Sequence, residues 1–299
     1  MITTTDDLQT LRDWLRWSVS RFTEAGLCFG HGTDNAWDEA VWLITALLHV
    51  PRDRLDVLLD ARLTRDERLA LLAALERRIV HRVPTAYLVH EAWLGDFRFH
   101  VDERVIVPRS YFAELLADGF APWITEPAFV ERTLDLCTGS GCLAILMAHA
   151  FPNAQVDAVD ISAEALAVAV HNVADYGLEA HIELIESDLF AQIPADRRYD
   201  LIVCNPPYVT AEAMAALPPE YRHEPALALA AGDDGLDVVR RILASARPHL
   251  TDDGVIAIEV GHNRDLVEEA FPDLPVVWLD TDTAEGKVFL VQAADLPAG

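Results

Sequence analysis

The sequence predicts an α/β fold: a doubly wound, mostly parallel sheet with its last strand antiparallel, plus a small N-terminal helical bundle joined through a β-hairpin. Three observations predict it. From about residue 130, short apolar runs alternate with helical stretches. One run leads into the glycine turn Thr138-Gly139-Ser140-Gly141, and a later one ends in Asn205-Pro206-Pro207-Tyr208. Residues 6 to about 82 instead carry the helical period, and residues 86–107 an alternating one.

Asp6 and Asp7 offer a cap for the first helix, with Leu8, Leu11, Trp14, Leu15 and Val19 at helical spacing behind them. A second helix starts at Asp34 and carries Trp37, Val41, Leu43, Ile44, Leu47 and Leu48. A third starts at Thr64, which has capping-box spacing to Glu67, and runs through Leu69, Leu72, Leu75 and Ile79. Trp14, Trp17, Trp37 and Trp42 are expected in the bundle core. Phe97, Phe99 and Val101 alternate with polar residues after the Gly95-Asp96 turn signal, which reads as the hairpin. Strands are expected at 133–137, 155–160, 181–186, 200–204, 254–260, 275–280 and 286–292, with helices at 140–150 and 162–175 among those between them. The link through Ala284-Glu285-Gly286 is too short for a parallel crossover, so the final strand must run antiparallel. The expected divisions are residues 1–85, 86–108 and 109–299.

Composition narrows the function classes. The formal net charge is −26 and Lys287 is the only lysine. Such a chain opposes a phosphate backbone and an anionic membrane surface, and suits a basic protein partner or simply solubility. Cys28, Cys137, Cys142 and Cys204 form no CxxC pair and read as reduced small residues. No metal-ligand cluster is visible. The opening Met1–Asp7 lacks the basic start and apolar core of a signal peptide, and no apolar run approaches the roughly 20 residues that span a bilayer. A cytoplasmic protein is expected.

The glycine turn points to a nucleotide-like cofactor. Glycines let the backbone approach a ligand, and the following helix start offers free N–H groups. Asp160 ends the next strand, 19 residues after Gly141, where a carboxylate can bind ribose hydroxyls. Gly139-Ser140-Gly141-Cys142-Leu143-Ala144 also satisfies the dinucleotide pattern GxGxxA, so spacing alone leaves NAD open. Three placements favour S-adenosylmethionine. Asp135 would suit a methionine ammonium, Asp188 would meet an adenine amino group, and the Asn-Pro-Pro-Tyr turn would face the sulfur. Taken singly, Asp160 or Asp188 reads as a helix cap. Taken together at consecutive strand ends, they read as a ligand site. Ile161 and Leu189, next to these carboxylates, are counted with that site.

Asn205-Pro206-Pro207-Tyr208 points to the reaction. The prolines end the strand and fix the backbone direction. The Asn205 side-chain oxygen and the Pro206 carbonyl then stand as two acceptors beside the Tyr208 ring. That arrangement suits a planar –NH2 on an sp² carbon. Accepting both hydrogens orients the amine and raises electron density on a weak nucleophile. A sulfonium methyl is the matching electrophile. Alone, the tetrapeptide is equally a rigid turn.

With these residues assembled, the chain resembles the protein-glutamine N5-methyltransferases, the HemK/Prm family, over nearly its whole length. The resemblance rests on Asp135–Gly141, Asn205–Tyr208, Pro219-Glu220-Tyr221, Glu224-Pro225-Ala226-Leu227 and Gly232–Asp237. It implies a class I (Rossmann-like) methyltransferase sheet of seven strands. Gly30–Ala40 and Val107-Pro108-Arg109-Ser110 look like the PrmB branch, which acts on a glutamine of large-subunit ribosomal protein three. Tyr111 departs from the proline of that pattern. The resemblance implies that Asn205, Pro206, Pro207 and Tyr208 hold the glutamine. It also implies that Asp135, Thr138, Gly139, Ser140, Gly141, Asp160, Ile161, Asp188, Leu189 and Asn205 form the cofactor site. Arg109 and Glu224 are expected to order the chain, and His31 to be a turn or interface residue. Alternatives are a release-factor glutamine and the exocyclic amine of a base. A non-catalytic ribosome-assembly factor and an NAD-dependent oxidoreductase are the more distant ones.

Overall fold

The computed structural model describes residues 7–297. The N-terminal bundle contains α1 (Leu11–Glu24), α2 (Ala36–Leu47), α3 (Leu55–Leu58), α4 (Arg65–Val80) and α5 (Thr85–Val89). The expected capping box opens α4: Thr64 Oγ1 accepts from Glu67 N at 3.3 Å, and the Glu67 carboxylate accepts from Thr64 N at 2.7 Å. Asp6 lies outside the described residues. Asp7 does not cap α1; Thr10 and Asp13 form its capping box. α2 is capped by Asn35, one residue after Asp34.

Trp14, Phe22, Leu43, Ile44, Leu71 and Leu75 fill the bundle core. Three residues expected to face it lie outside it: Trp42 is buried but belongs to the neighbouring core with Tyr87, Leu94 and Phe99, and two others are exposed. Leu69 is 55% exposed because it stands two positions, about 200° of helical rotation, from buried Leu71. Trp37 is 52% exposed, on the first turn of α2, before the buried stripe that starts at Glu39 and Ala40.

The hairpin is shorter than its sequence pattern. Strands β1 (Ala92–Leu94) and β2 (Phe97–Phe99) pair across Gly95, while residues 85–89 have turned into α5. After α6 (Phe112–Ala117) the large sheet begins with β3 (Arg132–Leu136). Then follow α7 (Cys142–Ala150), β4 (Gln155–Asp160), α8 (Ala163–Asp175), β5 (Ile182–Glu186) and β6 (Tyr199–Cys204). The chain continues through α9 (Ala211–Ala216), α10 (Asp237–Ser245), β7 (Leu250–Glu259), α11 (Arg264–Ala270), β8 (Val277–Leu279) and β9 (Val288–Gln292).

The seven strands lie in the order β5-β4-β3-β6-β7-β9-β8. Those from β3 to β7 pair in parallel, and β9 runs antiparallel to both β7 and β8, as the short final link requires. Alternate residues divide between two cores. Leu134, Leu136, Ile202, Cys204, Ile256 and Ile258 pack with Val239 and Ile242 of α10. Leu201, Val203, Val255 and Ala257 pack with Leu143, Ala144 and Met147 of α7. Each fully buried aliphatic side chain contributes roughly 1.5–3 kcal/mol, so both faces of the sheet are committed. Strand order reverses between β3 and β6. A crevice opens at the carboxyl ends there, as it does in open parallel sheets.

Candidate active site

A cavity of about 190 Å3 occupies that crevice. Its wall brings together Gly139, Asp160, Ile161, Asp188, Leu189, Asn205 and Pro207 from four separate strand ends. Gly139 has φ of +56°, and open space lies where a side chain would stand. Its N–H donates to Asp160 Oδ2 at 2.9 Å, and Ser162 N donates to Asp160 Oδ1 at 2.9 Å. These two bonds lock the carboxylate at the cavity wall. Burial raises the Asp160 pKa above the ordinary carboxylate value, and the backbone donors oppose that rise.

Asp135, Thr138, Ser140 and Gly141 do not line the cavity; they hold the turn. Asp135 is fully buried, and its Oδ2 accepts from Thr138 Oγ1 at 2.6 Å and from Ala144 N at 3.0 Å. Burial pushes its carboxyl up to about 7. The Ser140 carbonyl accepts from Asn172 Nδ2 at 2.8 Å, which fastens the turn to α8. A Cβ at Gly141 would stand 3.1 Å from the Ala169 Cβ, so this glycine lets α7 and α8 approach. Asp188 lines the cavity but is paired with Arg241, whose Nη2 donates to Oδ2 at 2.7 Å. Arg241 lies on α10 and escaped the sequence reading, because nothing local ties it to Asp188.

Asn205 lies on the cavity wall with its amide orientation set. Nδ2 donates to the Arg109 carbonyl at 3.3 Å, which commits the nitrogen and leaves Oδ1 free to accept. Pro206 is buried, and Tyr208 turns away from the cavity. The Tyr208 ring lies on Gly261, where an added Cβ would meet Cε2 at 2.8 Å. Its carbonyl accepts from Asn263 Nδ2 at 2.7 Å, and its hydroxyl bonds Glu259.

Glu259 ends β7 and is buried, and no ion pair to it is found among the described residues. Its Oε2 accepts from Ser110 Oγ at 2.6 Å and from Tyr111 N at 3.1 Å. Burial pushes this carboxyl up to about 7. A carboxylate at a strand end was the signal that found Asp160 and Asp188, and the same signal marks Glu259.

Glu224 is the opposite case. Arg109 donates to both of its oxygens, at 2.5 and 2.7 Å, and Val107 N donates at 2.9 Å. Burial alone would raise this carboxyl, but Arg109 and His31 outweigh it and hold the pKa down to about 2. The pair gives Arg109 and Glu224 their chain-ordering role. His31 is buried, with Nε2 at 3.7 Å from Glu224 and its ring against Tyr221. Four residues earlier in the same loop, Glu220 accepts from Cys28 N at 3.0 Å and pairs with Arg78 and Arg82. Arg78 in turn pairs with Glu39 in the bundle core. The loop that follows Asn205–Tyr208 is therefore clamped to the N-terminal bundle by buried charges.

A family model described as the methyltransferase small domain matches residues 116–217, and one described as the PrmC N-terminal domain matches residues 13–89. The ribosomal protein uL3 glutamine methyltransferase of Bordetella pertussis is 58% identical over 290 residues, covering 97% of each chain. The chain belongs to the ribosomal protein uL3 glutamine methyltransferase family. The relative of that name from Neisseria gonorrhoeae is 57% identical and covers 97% of this chain and 96% of its own. Among solved structures, the hMettl16 catalytic domain in complex with a MAT2A 3'UTR hairpin superposes with a TM-score of 0.51 at 13% identity. It covers 79% of this chain and 85% of its own, and shows a common fold.

As a uL3 glutamine methyltransferase family member, the chain is an enzyme whose cofactor is S-adenosyl-L-methionine. The cavity fits it on its own geometry: open space at Gly139, a locked carboxylate at Asp160, and Asn205 at the carboxyl end of the adjacent strand β6. Among the described residues no helix is long and apolar enough to cross a membrane.

Proposed function

We propose that this enzyme transfers a methyl group to the side-chain amide nitrogen, N5, of a glutamine in large-subunit ribosomal protein uL3. The supporting observation is Asn205: with Nδ2 committed to Arg109, Oδ1 is left as an acceptor on the cavity wall. Asn205 Oδ1 and the Pro206 carbonyl accept the two amide hydrogens, which orients the planar amide and increases electron density on nitrogen. S-adenosyl-L-methionine supplies a sulfonium methyl when bound. Gly139 and Asp160 would hold its sugar end, and Ile161, Asp188 and Leu189 would border its base. Asp135, Thr138, Ser140 and Gly141 shape the turn. Tyr208 acts from behind, holding the turn through Gly261 and Glu259, with Pro207 on the wall. Catalysis is then positioning and polarisation. The transiently cationic nitrogen is acidic enough to lose its proton without a dedicated base.

In this reading residues 1–85 recognise the substrate, 86–108 link, and 109–299 catalyse. The reaction takes place in the cytoplasm on a basic protein, without a nucleic-acid or membrane partner, which the net charge of −26 supports. Methyl transfer from radiolabelled cofactor tests it, with purified uL3, a release factor and RNA in parallel. Label on a glutamine of uL3 alone is expected. Label on the release factor would keep the chemistry and change the substrate, and label only on RNA would sink the proposal.

A further inference from the structure

A second depression lies outside the cavity, between the N-terminal bundle and the hairpin. It is an open groove of about 620 Å3, bordered by Gly30, Gly32, Asp34, Asp38, Trp42 and Trp93. We propose that this groove is the docking subsite for a basic segment of the polypeptide substrate, taking one arginine or lysine side chain between its carboxylates and the Trp93 indole. The proposal rests on the protein-substrate reading above and assigns the specificity of that same reaction.

Four observations converge on it. First, the groove joins two indoles of different standing. Trp93 is 45% exposed, with its Nε1 tied to Glu91 at 3.0 Å. Trp42 is 3% exposed, and its Nε1 is buried without a hydrogen-bond partner among the described residues. A buried N–H left unpaired is costly, and a peptide carbonyl is a natural acceptor for it. Second, Asp34 and Asp38 stand exposed at the rim and share Asn35 Nδ2 as a donor, at 2.5 and 2.7 Å. Third, Arg52 also lines the groove, with its guanidinium 6.0 Å from the Trp42 centroid; that face already holds a cation, so an incoming side chain would sit between the exposed Trp93 and the two rim carboxylates. An aromatic face flanked by carboxylates suits a cation and repels a phosphate. Fourth, the groove is joined to the active site by direct contacts. A Cβ at Gly30 would stand 2.6 Å from the Tyr221 hydroxyl, and His31 lies against Glu224. Glu224 holds Arg109, whose carbonyl orients Asn205. A side chain anchored in the groove would rest on the loop that borders the catalytic turn.

The test compares the wild-type enzyme with Asp34→Asn/Asp38→Asn and with Trp93→Ala, on purified uL3, at two salt concentrations. Cofactor affinity and melting temperature are measured alongside. The isosteric double variant keeps a folded comparator if Trp93→Ala melts early. KM for uL3 is expected to rise about tenfold in the double variant, with kcat and cofactor affinity unchanged. Wild-type KM should rise with salt, and that dependence should flatten in the double variant. A double-variant KM within about twofold of wild type, or a rise that leaves the salt dependence intact, overturns the groove assignment. Absence of label on uL3 with the wild-type enzyme overturns the substrate reading instead, and the groove's occupant with it.

Discussion

The cofactor wall and the substrate wall of the site are built from different materials. The cofactor wall is mostly backbone: a glycine turn, two N–H groups on Asp160, and a helix start held by Asp135. Each of these lies within a few residues of a strand end, so local sequence and sheet register are enough to form it. The substrate wall is assembled from distant side chains. Asn205 is set by Arg109, Arg109 by Glu224, and Tyr208 by Glu259 and Asn263, across sequence separations of 96, 115 and 55 residues for the bonds from Asn205, Arg109 and Asn263. The difference teaches that the cofactor half should tolerate change in the N-terminal bundle, while the substrate half should not.

The sharpest way to break that comparison is Asn205→Ala. It removes the acceptor without touching the glycine turn, and should lower kcat by about 10²–10³-fold with cofactor affinity nearly unchanged. Equal losses in both, seen by steady-state kinetics and cofactor titration, would contradict the division into two walls.

Glu224→Gln comes next. It leaves Arg109 half-buried without its carboxylate, and removal of one partner of a buried pair costs about 3 kcal/mol. Urea unfolding should show that loss, and activity should fall through misplacement of Asn205. The pH sign follows from the lowered pKa: the stabilisation is present above the ordinary glutamate value and is lost as pH falls toward about 2.

Asp160→Asn should weaken cofactor binding about tenfold and leave kcat at saturation near wild type, as one lost hydrogen bond implies. Isothermal titration with the cofactor checks it.

The smallest effect is a pH slope. Glu259 has a raised pKa, so its buried neutral form is favoured in the folded state. Its contribution is fully present below the ordinary glutamate value and is lost as pH rises through about 7. Glu259→Gln should therefore flatten the fall in melting temperature between about pH 5 and 8. A slope equal to wild type would show that Glu259 is not the titrating group. Asp135, also pushed up to about 7, and Asp160, raised by burial, contribute to the remaining slope.

The sequence by itself determined the α/β class, the antiparallel last strand, the capping box at Thr64 and the strand-end carboxylates. These depend on period, turn chemistry and link length, all readable over a few residues. It also placed Gly139, Asp160 and Asn205 in one site, because parallel strands bring their carboxyl ends to one edge. Tertiary structure alone decided the rest. Insertion of β9 between β7 and β8 has no local signal. Trp37 and Leu69 carry apolar side chains at positions the bundle does not cover. Tyr208 points to Glu259 and not into the cavity because Gly261 leaves room for its ring. The pairings of Arg109 with Glu224 and of Arg241 with Asp188 join residues 115 and 53 positions apart. Such contacts form only after the chain has closed, since a charge finds its partner by position in space and not by spacing along the sequence.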